Sequence, residues 1–189
     1  MKSPDNDVME LIRRALEEDA AANDITTGRL ALDGTGRATV TARSACVVSG
    51  QRAARSVYHL LDESVEYTAV RRDGTAVDPG ETVADVVGPL GVILSGERTA
   101  LNLLQHLSGV ATLTSRFVVL MEGTGIGILD TRKTTPGLRA LEKAAVIHGG
   151  GLNQRHDLSE LVLVKENHIA AAGGLGAVID RLGEEIARA

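Results

Sequence analysis

LDTRKTTPGLRALEKAAVIHGGGLNQRHDLSELVLVKENH, residues 129–168, decides how this chain is read. An apolar run over 126–130 ends at Asp130, a turn follows at 134–137, and 138–147 reads as a helix. Three glycines at 149–151 close that helix, and a second apolar run at 161–164 ends at Lys165. A further helix is expected at 175–188. Strands that alternate with helices predict parallel βαβ units.

The same segment collects cations. The 189-residue chain has 20 Lys and Arg against 25 Asp and Glu, a formal net charge of −5. From Asp130 to Lys165, six basic residues (Arg132, Lys133, Arg139, Lys143, Arg155, Lys165) stand against four acidic ones (Asp130, Glu142, Asp157, Glu160). That local balance of +2 leaves −7 for the remainder. Clustered charge raises the local concentration of its counter-ion, so an acidic chain with one basic segment is expected to receive an anion there. Arginine adds a planar fork that grips carboxylate or phosphate through two parallel hydrogen bonds. A solvated helix face accounts for Arg139 and Lys143, four apart in the helical stretch. It accounts poorly for Arg132, Lys133 and Lys165, which lie at the ends of apolar runs, where α/β sheets bind ligands.

Composition narrows the partners. Apolar residues make up 43% of the chain, enough for a core, but aromatics only 2%, with no Trp. Packing must rely on Ala, Leu and Val, and the aromatic platforms of single-strand nucleic-acid binders are missing. Net negative charge also argues against a nucleic-acid partner. The single cysteine, Cys46, excludes an internal disulfide and reads as a buried structural thiol. The N-terminus MKSPDNDVMEL has neither a signal nor a transit pattern, and the apolar stretches read as short of a membrane span, so a cytoplasmic protein is expected.

The first half reads as α+β. Val8, Leu11, Ile12, Ala15 and Leu16 recur at helical spacing, predicting an amphipathic helix over about 6–20. Asp24-Ile25-Thr26-Thr27 is expected as a loop whose short side chains bond nearby backbone. Strands are expected at 37–48, 65–70 and 82–87, with a helix at 52–61 and turns at Asp73-Gly74 and Asp78-Pro79-Gly80. Ser95 offers a cap for a long helix over 95–117, with Leu101, Leu104, Leu107 and Ala111 on its apolar face.

An ordered series of motifs now resembles the quinolinate phosphoribosyltransferases (carboxylating nicotinate-nucleotide pyrophosphorylases). It comprises Asp24-Ile25-Thr26-Thr27, SGERTALNLLQHLSGVAT at 95–112, LDTRKTTPGLRALEKAAV at 129–146, GGGLNQR at 149–155 and VKENHIAAAGG at 164–174. The resemblance implies an N-terminal α/β sandwich domain, 1–108, that includes the start of the long helix. The first part of an α/β barrel would follow at 109–189, incomplete in this chain. It implies an oligomer, and an enzyme of NAD biosynthesis that joins quinolinate to phosphoribosyl pyrophosphate. The products would be nicotinate mononucleotide, carbon dioxide and pyrophosphate, with Mg2+ accompanying the pyrophosphate. Mapped by motif, Arg132, Lys133, Arg155 and Lys165 resemble the clamp on carboxylates and phosphate, with Thr131 and Gln154 beside them. Arg98 resembles the arginine lent to a neighbouring subunit. Lys133 and Lys165 are the candidates for a catalytic role, and His148 and His168 read as structural.

Two departures qualify the resemblance. The family pattern Asn-His-Arg is here Asn153-Gln154-Arg155, and Gln154 donates a hydrogen bond without carrying charge. Asp157 stands where glycine is usual, and its carboxylate opposes an anionic substrate. From Ile126 to the last residue there are 64 positions, room for about two strand–helix units of roughly 30 residues each. The family's acids for ribose and magnesium have no counterpart here, since Glu184 and Glu185 read as a solvated helix end. The expectation is a truncated family member whose barrel is completed by a second chain or by a missing half. A non-catalytic anion-binding or assembly subunit, or a relative recruited to another pyridine carboxylate, are the alternatives. An unpaired apolar edge at 161–164 further predicts that the chain is not a monomer.

Overall fold

The structure is a computed structural model, which describes residues 4–188 and the side chains of residues 6–183. It divides into two units, Met1–His156 and Asp157–Ala189.

In the first unit, α1 (Pro4–Glu18) buries Ile12 and Leu16. After a 3-10 turn, Asp24 starts α2 (Ile25–Leu30) by accepting hydrogen bonds from the Thr26 and Thr27 amides at 3.0 and 3.1 Å. The expected loop at this motif is therefore a helix start, for the reason anticipated: short polar side chains satisfy free amides. Strands β1 (Thr35–Thr41), β2 (Cys46–Val47), β3 (Glu66–Ala69), β4 (Ala76–Val77) and β5 (Thr82–Pro89) follow, with α3 (Gln51–Leu61) between β2 and β3. The main sheet is antiparallel in the order β1-β5-β3, and β2 pairs with β4. Alternation along β5 turns Ala84 and Val86 to one face, where they join Ile12, Ala54, Val57, Tyr58 and Leu104 in the core, while Val83 on the other face packs with Val48 and Val77. Cys46 is half-buried, and burial pushes its thiol pKa up, which fits the structural role expected of it.

Helix α4 (Leu90–Leu120) is the axis of this unit. It begins five residues before Ser95, because Leu90 donates its first free amide to the Gly34 carbonyl at 3.0 Å and needs no side-chain cap. Ser95 instead donates to the Asp24 carboxylate at 3.3 Å. The helix has the length and apolarity of a membrane span, contrary to the sequence expectation, yet it buries Leu103, Leu104, Leu107 and Ala111 against protein. Beyond it, α5 (Arg139–His148) packs on α4, with Ala145 beside Leu107 and Ala111. Residues 128–130 and 152 flank α5 as one parallel bridge, Leu129 with Leu152, so the expected βαβ crossover is present in minimal form.

The second unit holds α6 (Glu166–Ala172) and α7 (Leu175–Arg188). Gly173 ends α6 at φ 90°, a left-handed conformation that costs glycine little. Residues 161–165 form no ladder, so the strand predicted there is absent and presents no unpaired edge for association. Leu161 and Val162 are 54% and 67% exposed. The Glu184 and Glu185 side chains lie outside the described residues.

Candidate functional site

The site is built around a carboxylate that charge counting alone does not single out. Asp130 ends the segment 128–130, and its oxygens accept from Lys143 Nζ at 2.6 and 2.7 Å. Asp130 Oδ1 also accepts from the Gln154 amide at 2.8 Å. Oriented by its hydrogen bonds, the Asn153 side-chain amide donates to Asp130 Oδ2 at 2.7 Å and to the Lys143 carbonyl at 3.0 Å. Lys143 Nζ in turn donates to the Gln154 carbonyl at 2.8 Å. The Lys143 and Asp130 side chains are only 4% and 6% exposed. Lys143 is therefore not on a solvated face, as its spacing from Arg139 predicts. It is a buried cation whose three donors are directed at the two loops.

Those loops carry the cations singled out by sequence. Leu152 donates to the Ile128 carbonyl at 2.8 Å and Asp130 to the Leu152 carbonyl at 3.0 Å, which fixes the parallel register. Arg132 lies three residues beyond Leu129, and Arg155 three beyond Leu152, its bridged partner. Both arginines thus occupy the same register position past the carboxyl ends of adjacent parallel segments. Neighbouring strands run about 5 Å apart, a spacing on the scale of two vicinal carboxylates. Both residues are half-buried, and Arg132 Nε is shielded from solvent with no acceptor among the described residues. A buried donor left unpaired costs about 1–3 kcal/mol, which an incoming carboxylate oxygen would remove.

The turn after Arg132 and Lys133 is braced from α4 and α5. Thr131 Oγ1 accepts from the Lys133 amide at 3.0 Å, and Arg139 donates to Thr134 Oγ1 at 3.1 Å and to the His156 carbonyl at 3.3 Å. Arg139 is therefore also a structural cation. Glu142 accepts from the Thr135 amide at 3.2 Å and lies 2.8 Å from His106 Nε2 on α4. Burial works against the Glu142 charge, but its hydrogen bonds to Thr135 and His106 prevail and hold its carboxyl below the ordinary 4.5.

Lys133 is exposed beside Arg132, and the half-buried Gln154 is fixed through its backbone rather than its side chain. Arg98 is exposed in the third turn of α4, more than two turns before His106. Lys165 belongs to the second unit, exposed at the start of α6, where its amide donates to His168 Nδ1 at 3.0 Å. His148 meets Ser49 Oγ through Nδ1 at 2.8 Å, so each of the two histidines has a partner within the protein. Asp157 accepts from the Ser159 amide and hydroxyl at 2.7 and 2.6 Å, closing a local turn. The glycine triplet serves packing: a Cβ at Gly149 would collide with the Ala111 carbonyl and lie 2.7 Å from Thr114 Cβ. Among the described residues, no three His, Cys, Asp or Glu side chains gather as a metal donor set.

The pair of parallel segments joined by a helix, with cations past their carboxyl ends, thus follows an antiparallel sheet and the long helix α4 in a mixed α+β chain. Two sequence models match consecutive parts of the chain: "Quinolinate phosphoribosyl transferase, N-terminal domain" over 24–108 and "Quinolinate phosphoribosyl transferase, C-terminal domain" over 110–189. The chain is 40% identical over 166 residues to a Bacillus subtilis protein named "Probable nicotinate-nucleotide pyrophosphorylase [carboxylating]". That alignment takes in 88% of this chain and 57% of the relative. With the Mycobacterium leprae nicotinate-nucleotide pyrophosphorylase it is 41% identical over 180 residues, 92% of this chain and 61% of that one. The nicotinate-nucleotide pyrophosphorylase structure from Francisella tularensis superposes with a TM-score of 0.90 at 38% identity, covering 97% of this chain and 65% of that one. The chain belongs to the quinolinate phosphoribosyltransferase family. It spans about three-fifths of the length of these relatives.

Proposed function

We propose that this chain carries the acceptor-acid half of a quinolinate phosphoribosyltransferase site, in a pathway leading to NAD. Arg132 and Arg155, with Lys133, Thr131 and Gln154 beside them, hold the two carboxylates of a pyridine-2,3-dicarboxylate. The equal register of the two arginines past adjacent parallel segments is the observation that supports this reading most. Fixing the acid orients its ring nitrogen toward the sugar carbon of phosphoribosyl pyrophosphate. Orientation and charge stabilisation, rather than a protein nucleophile, then supply the rate. Lys165, matched by the family motif, is a further cation for substrates of this class, and Arg98 acts on the site of a neighbouring subunit in a homo- or hetero-oligomer. Residues 1–108 form the sandwich domain and 109–189 the first part of a barrel. Groups that hold ribose and Mg2+-pyrophosphate come from polypeptide beyond these 189 residues, in the same chain or another.

Calorimetry with pyridine-2,3-dicarboxylate tests the reading. A charge-assisted hydrogen bond contributes about 1.5–3 kcal/mol, so Arg132→Ala is expected to weaken binding roughly ten-fold or more. Equal binding by parent and Arg132→Ala would show the clamp to be misassigned.

A further inference from the structure

The clamp has a support of its own inside the protein. Among the six basic residues of the segment, Lys143 is the one drawn out of solvent, with its three donors spent on Asp130 and the Gln154 carbonyl. Asp130 lies two residues before Arg132, and Gln154 directly precedes Arg155. Gln154, which leads into Arg155, is held through both of its backbone groups: its amide donates to Asp130 and its carbonyl accepts from Lys143. Asn153 adds a third tie from the same loop to the same carboxylate. Burial of an ion pair gives little net stability compared with apolar side chains of the same volume, because desolvation offsets the attraction. A fold that needed only to join α5 to this loop could do so with apolar packing. What the polar cluster adds is direction, since each bond fixes a particular backbone group of one loop relative to the other.

We infer that Asp130 and Lys143 are positioning residues that set the separation of Arg132 and Arg155, and so make the site selective for a vicinal dicarboxylate over a monocarboxylate. This rests on the acid-binding reading above. Neither residue touches substrate. They act by holding the backbone on which the two arginines stand, as a supporting shell does for groups that bind directly.

The double variant Asp130→Asn/Lys143→Met tests this, because it neutralises both partners at nearly constant volume and leaves no buried charge unpaired. Two measurements are compared with the parent: affinity for pyridine-2,3-dicarboxylate relative to pyridine-3-carboxylate, and 15N relaxation of the Gln154 amide and the Arg132 and Arg155 Nε groups without ligand. The affinity ratio is expected to fall roughly ten-fold or more, and the Gln154 order parameter to drop from about 0.85 to below about 0.6. A folded double variant with the parent's ratio and order parameters overturns the inference. Failure of the parent to bind the dicarboxylate sinks the acid-binding reading instead. The relaxation data then still decide whether this pair orders the loops, and unchanged values overturn that too. Should the double variant not fold, Asn153→Ala, at an exposed position, removes one tie from the same carboxylate. Slackening at Gln154 supports the inference and an unchanged loop overturns it.

Discussion

Asp130 and Lys143 show what sequence patterning does and does not reveal at the scale of a residue. Arg132 and Lys133 stand out in the sequence because they follow an apolar run within a locally basic segment, and Arg155 because it ends the motif at 149–155. Lys143 does not, since its four-residue spacing from Arg139 matches a solvated helix face, and charge counting carries no information on burial. Only the fold brings its ammonium within 2.6 Å of Asp130. The arrangement has an energetic signature. Asp130→Ala alone leaves a buried ammonium unpaired, and Lys143→Met alone leaves a buried carboxylate without its partner. Each is expected to lower unfolding free energy by about 3–5 kcal/mol, while Asp130→Asn/Lys143→Met recovers most of the loss. Urea unfolding of the three variants measures this. Additive losses would mean that the two groups do not act as a pair.

At the scale of elements, local signals were read well and non-local ones less so. The final helix has its expected bounds, α5 starts and ends within one residue of its pattern, and α3 starts one residue early. Those helices carry strong apolar periodicity, which is a local property. The apolar run at 126–130 shrinks to a single bridge and that at 161–165 forms no strand among the described residues, because a strand depends on partners that its own sequence does not contain. The short α6 was missed, being seven residues with three consecutive alanines and no stripe. The glycine triplet after α5 was recognised, but its reason lies in α4. Gly149→Ala would press a methyl group on the Ala111 carbonyl and on Thr114, so a loss of about 1–3 kcal/mol is expected, seen as a lower denaturant midpoint with unchanged slope. The brace between α4, α5 and the turn at Thr135 predicts a pH effect. Because the folded Glu142 carboxyl lies below 4.5, its contribution is present above the unfolded pKa and lost as pH falls through the folded value. Glu142→Gln should flatten the loss of stability below about pH 4.5 in acid unfolding curves. A variant as acid-sensitive as the parent would show that this carboxylate does not link the helices in solution.

For the whole molecule, the question is how much of a phosphoribosyl transfer these 189 residues can perform. The reaction needs the pyrophosphate neutralised, the ribose hydroxyls fixed and the 5′-phosphate anchored, since binding energy remote from the reacting carbon orients it. Under the proposed function, the described residues offer cations for an acceptor acid, and among them no cluster of carboxylates suited to a metal ion. The relatives that share this fold extend over a further third or more of their length. Under the proposed function, binding of the acid and turnover should therefore separate. The purified 189-residue polypeptide is expected to bind pyridine-2,3-dicarboxylate yet form nicotinate mononucleotide at background rate when given phosphoribosyl pyrophosphate and Mg2+. A polypeptide carrying the remainder of the fold should restore turnover, and Arg132→Ala should abolish the restored rate. Robust, Mg2+-dependent product formation by the polypeptide alone would refute this division. It would mean that copies of this same chain supply the acidic groups to one another, with Arg98 on α4 the first position to test by mixing variant and parent subunits.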